Sequence, residues 1–90
     1  MPRYMIEVTH ENTRLECARA IEIFLSTGSH FLTNADWGCP DGEHKAWFFM
    51  DANNKSEAIM VVPPALRKNT KITELARFSM KDAAEMMNKH

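Results

Sequence analysis

From Arg3 to His10 the chain alternates: Tyr4, Ile6, Val8 and His10 share one parity, and Met5, Glu7 and Thr9 share the other. A period of two belongs to a strand with two unlike faces, so a strand is predicted to open the fold. The period then lengthens. Leu15, Ala18, Ile21, Phe24 and Leu25 recur at helical spacing, Thr13-Arg14-Leu15-Glu16 forms a capping box ahead of them, and Gly28 is a left-handed stop. Strand-forming residues return in two runs, about His30 to Gly38 and His44 to Asp51, around the turn Cys39-Pro40-Asp41-Gly42-Glu43. Asp-Gly between such runs is a strong hairpin signal, and with Asp41-Gly42 as a two-residue loop Cys39 falls opposite His44.

Asn54-Lys55-Ser56-Glu57 is a second helix cap, opening a short helix through Val62. Pro63-Pro64 must end it, because Pro64 has no amide hydrogen and drives Pro63 away from helical angles. Lys71 to Phe78 reads as a fourth strand, and Ser79-Met80-Lys81-Asp82 caps a last helix ending near Asn88. With right-handed crossovers this βαββαβ order and its C-terminal helix predict an α+β, ferredoxin-like sandwich. Its four-stranded antiparallel sheet has strand one between strands three and four, with two helices on one face. The 90 residues are expected to form a single domain, 1–90.

Parity sorts the side chains of that sheet. Ile6, Val8, Ala46, Phe48 and Met50 are predicted to lie under the helices, leaving Met5, Leu32, Trp47, Phe49 and Leu75 on the other face. Such a patch is too apolar to stay wet. It predicts a homodimer through the Trp47/Phe49 face, two sheets closing into a dimeric α/β barrel. The alternative is a monomer whose last helix, padded by Met80, Met86 and Met87, folds across the patch.

The opening Met1-Pro2-Arg3-Tyr4 strand, the passage Val62-Pro63-Pro64-Ala65-Leu66-Arg67 and the following Lys71-Ile72-Thr73-Glu74-Leu75-Ala76-Arg77-Phe78 resemble small uncharacterised members of the dimeric α/β barrel superfamily. Muconolactone isomerases are distantly similar in placing a proline-containing segment before a strand of this kind. The resemblance implies the fold and the dimer. It matches no catalytic motif residue by residue, and fold alone assigns no chemistry.

Charge narrows the partners. Eleven basic and twelve acidic residues nearly cancel to a net −1, and without a basic block neither nucleic acid nor an anionic membrane is an expected partner. Trp47-Phe48-Phe49 on a central strand invites comparison with base-stacking RNA-recognition modules, but no basic cluster accompanies it. The apolar runs are too short to span a bilayer, and the start of the chain does not read as a leader. A cytoplasmic protein is expected, with its two cysteines reduced.

The topology also gathers polar residues at one rim of the sheet: His10 ending strand one, Cys39 ending strand two, His44 starting strand three, and the Arg67-Lys68 turn before strand four. Parity sends His10, Cys39 and His44 to the helix side, toward which Cys17 also points. One expectation is a small-molecule site with His10 or His44 as general base and Cys39, Arg67 and Lys68 binding substrate, as in an isomerase or cofactor-free oxygenase. No glycine-rich phosphate cradle is present, so no organic cofactor is expected. The alternative is a zinc-like transition metal bound by His10, Cys17, Cys39 and His44, whose thiolates and neutral imidazoles suit a tetrahedral ion. A structural or regulatory dimer with no site is the third reading. Glu11, Asp36 and Glu43 lie near the rim as carboxylates that could orient an imidazole, although Asp36 is expected to face away from Cys39, whereas His30 at the opposite end and the terminal His90 are excluded.

Overall fold

A computed structural model describes residues 1–88. Strand β1 (Arg3–Thr9) leads into helix α1 (Arg14–Ser26), a single-turn helix α2 (His30–Thr33) and strand β2 (Asp36–Trp37). Strand β3 (Lys45–Asp51), helix α3 (Lys55–Ile59), strand β4 (Thr70–Leu75) and helix α4 (Met80–Asn88) complete the order. The strands form one antiparallel sheet in the order β2-β3-β1-β4, an order compatible with a ferredoxin-like arrangement. Among the described residues no helix is long and apolar enough to cross a membrane.

The caps work as their residue types dictate. Thr13 Oγ1 accepts the Glu16 amide hydrogen at 3.0 Å, Asn54 Oδ1 accepts that of Glu57 at 2.8 Å, and Gly28 leaves α1 at a φ of 71°. Ser79 and Asp82 cap α4 reciprocally, each amide donating to the other's side chain, at 2.9 and 3.1 Å.

One sheet face and α1 make the core, where Ile6, Val8, Phe24, Leu32 and Val62 are fully withdrawn from solvent. Phe24 packs edge-on against Trp37 at 4.9 Å and Phe48 at 6.3 Å. Tyr4, Ala46 and Met50 extend this face, as the alternation along β1 and β3 requires.

Several expectations need correction. Residues 30–33 are helical rather than the start of a strand, because Ser29 caps them through the Leu32 amide and Asn34 Nδ2 donates to the His30 carbonyl at 2.8 Å. Leu32 therefore enters the core instead of lying on the opposite face. Along α1 the inward side is Cys17, Ala20, Ile21 and Phe24, while Leu15, Ala18 and Leu25 stay exposed. Helix α3 stops at Ile59, and β4 stops at Leu75 rather than Phe78. The hairpin loop is wider than Asp41-Gly42: Cys39–Asp41 form a 3₁₀ turn, and Gly42 closes it in the left-handed region at φ 82°.

Candidate functional site

Two registers meet at His44. The β1–β3 ladder pairs Thr9 with Lys45, and one step further the His10 amide donates to the His44 carbonyl at 3.0 Å. The β2–β3 ladder pairs Trp37 with Ala46, and the Gly38 amide donates to the Lys45 carbonyl at 3.0 Å. Continuing each ladder by one or two residues brings His10 to one side of His44 and Cys39 to the other. A ligand atom from each of His10, Cys39 and His44 then lies within 4.8 Å of the other two.

The His10 ring has a fixed orientation. Its Nδ1 is 2.9 Å from the Glu11 carbonyl, which can only accept, so Nδ1 carries the proton and donates. Nε2 is left with a lone pair 3.0 Å from Cys39 Sγ. Holding one ring nitrogen by a backbone carbonyl and presenting the other is how proteins orient a metal-ligating imidazole. His10 itself is only 7 % exposed, and Trp37 stands 6.1 Å from it as a wall.

His44 completes the cluster from β3's leading end, its ring 5.5 Å from that of His10 and nearly perpendicular to it. Among the described residues its Nδ1 is buried with no hydrogen-bond partner. An imidazole nitrogen in that condition costs about 1–3 kcal/mol if left so.

Cys17 lies one turn into α1 and shares with Cys39, His44, Thr13, Arg14 and Pro40 a cleft of about 400 Å³. Both cysteines are free thiols. Burial, and next the neighbouring Cys17 thiol, push the Cys39 thiol up to about 11 from its ordinary 9.0.

Neither Arg67 nor Lys68 lines the cleft of Cys17, Cys39 and His44. Arg67 is occupied with backbone, its Nε donating to the Val62 carbonyl at 2.7 Å and its Nη2 to the Met60 carbonyl at 3.2 Å. This fastens the exit of α3. Lys68 lines a separate cavity of about 250 Å³ with Thr9, Glu11, Glu16 and an edge of His10. Asp36 pairs with Trp47 on the opposite face, Glu43 is exposed beyond the turn, and His90 lies outside the described residues. Glu11 acts on His10 through its carbonyl rather than its carboxylate.

Two residues that position the site were not singled out from the sequence. Trp37 bridges His10 and Phe24, and Gly38 lets the turn close, since a Cβ there would meet the Glu43 carbonyl oxygen at 2.7 Å and Trp47 Cζ3 at 2.8 Å. A glycine directly before the Cys39-Pro40 turn was the available signal for a close backbone approach. Comparison with known protein families, curated proteins and solved structures finds no significant match to the chain.

Proposed function

We propose that this chain is a transition-metal-binding protein that holds a zinc-like divalent ion between His10 Nε2, His44 Nδ1 and Cys39 Sγ, with Cys17 the fourth donor at hand across the cleft. The carrying observation is that His10, Cys39 and His44 each bring one ligand atom to within 4.8 Å of the other two, while His44 Nδ1 is buried with no hydrogen-bond partner among the described residues. Tetrahedral zinc with bonds of about 2.0–2.3 Å sets its ligand atoms about 3.3–3.8 Å apart, so small side-chain rotations suffice. Mixed imidazole and thiolate donors select zinc over magnesium or calcium, which take oxygen.

General-base catalysis fits the same residues less well. His10 has both nitrogens engaged, His44 Nδ1 is enclosed, and Arg67 is committed to two carbonyls. A base must present a free nitrogen to its substrate. The strand order supports a ferredoxin-like sandwich as the scaffold, with its rim carrying the metal.

Purified protein equilibrated with zinc and dialysed should retain about one equivalent, and cobalt(II) in its place should show a sulfur-to-metal charge-transfer band. Either His44→Ala or Cys39→Ser should weaken binding by more than about tenfold. Retention by the wild type no greater than that of a variant carrying both His44→Ala and Cys39→Ser would overturn the proposal.

A further inference from the structure

On the sheet face away from α1, three neighbouring strands contribute to one hollow. Arg3 of β1 lies between Asp51 of β3 and Leu75 of β4, and Phe49 shares the open face of β3 with Asp51. Together with Ala76 and Arg77, which follow β4, the residues Arg3, Phe49 and Leu75 line a cavity of about 440 Å³. That size falls within the roughly 300–1,000 Å³ of small-ligand pockets.

The charges around the hollow are not all matched. Glu7, further along β1, accepts from Trp47 Nε1 at 2.9 Å and lies 3.7 Å from Lys45 Nζ. Asp51 is the cross-strand neighbour of Arg3, yet the Arg3 guanidinium lies over the Phe49 ring, 5.0 Å from its centroid. Among the described residues the ion pairs are Lys45–Glu7 and Arg19–Glu16, and neither Arg3 nor Arg77 belongs to one. Two guanidiniums therefore border an apolar floor of Phe49, Leu75 and Ala76, and no acidic side chain lines it.

Each guanidinium is permanently charged and presents a fork of donors that matches a carboxylate. Stacking on Phe49 holds the Arg3 fork in place, so less freedom is lost when an anion binds. A neutral apolar molecule would leave both cations unmatched, and a bare inorganic anion would leave Phe49 wet. We infer that this hollow binds a small carboxylate with a flat apolar body, its carboxylate held by Arg3 and Arg77 and its ring against Phe49 and Leu75. The site is independent of the metal, since His10 and His44 continue the parity of Val8 and Ala46 on the other side of the sheet.

Isothermal titration of the full chain with 2-naphthoate should show about one equivalent bound, with a Kd tighter than about 1 mM. 2-Naphthamide, which keeps the shape and loses the charge, should bind at least about tenfold more weakly, and acetate, which keeps the charge and loses the ring, should not compete. Arg3→Gln and Arg77→Gln should each weaken naphthoate by about tenfold, with circular dichroism checking that both variants remain folded. The comparison of acid with amide on the wild type stands even if a variant fails to fold. No binding of naphthoate, equal affinity for the amide, or folded variants that bind as wild type does would each overturn the inference. So would a dimer whose formation excludes naphthoate, which would assign the face to a second copy instead.

Discussion

His10, Cys39 and His44 owe their chemistry to atoms a few ångströms away. The Glu11 carbonyl fixes which nitrogen of His10 bears the proton, and burial with the Cys17 thiol keeps Cys39 neutral by raising it to about 11 from 9.0. Because the folded value is raised, the stability this thiol contributes is intact below about pH 9 and lost as pH rises through about 11. Thermal midpoints should therefore fall more steeply for the wild type than for Cys39→Ser across that window; parallel curves would show that Cys39 is not so held. The facing of Cys39 and His44 was legible from five residues of spacing around an Asp-Gly turn. The engagement of Arg67 by Val62 and Met60 was not, since no local pattern tells which backbone carbonyls a long side chain will reach.

At the level of elements, capping was the part written most openly into the chain. Thr13, Asn54 and Ser79 each hold the amide three residues on, a contact needing nothing beyond one helical turn. Since α4 buries none of its residues, Ser79→Ala should lower far-UV helical signal while leaving the global unfolding midpoint where it is. A shifted midpoint would mean that α4 is packed on something in solution. Gly38→Ala has the opposite character: its Cβ would press on the Glu43 backbone and Trp47, so the hairpin must shift, at a cost of about 1–3 kcal/mol. Zinc affinity should drop with it, because Cys39 follows directly. The mistaken strand at 30–33 has a clear reason. Phe31 and Thr33 favour a strand by type, but Ser29 caps the segment and Gly28 sets the reversal before it, so one helical turn forms instead.

For the whole molecule, burial on one face of a four-stranded sheet sets the balance. Phe24 touches Trp37 and Phe48 and is completely enclosed, so Phe24→Ala should cost about 3–5 kcal/mol, a large share of the roughly 5–15 kcal/mol of a typical domain. Chemical denaturation gives the number, and a loss under about 1 kcal/mol would deny Phe24 its central place. The radius of gyration, 15.9 Å against about 12 Å for a compact chain of this length, follows from an α4 that buries nothing. Alternation along β1 and β3 and the helix caps were determined by the sequence itself, because each depends on residues within one turn or one pleat. That Leu32 turns inward, and that α1 buries Ala20 and half-buries Cys17 while Leu15 and Leu25 stay exposed, was decided only by tertiary structure. Those outcomes depend on the register of strands and the rotation of a helix about its axis, which are settled by packing between segments far apart in the chain.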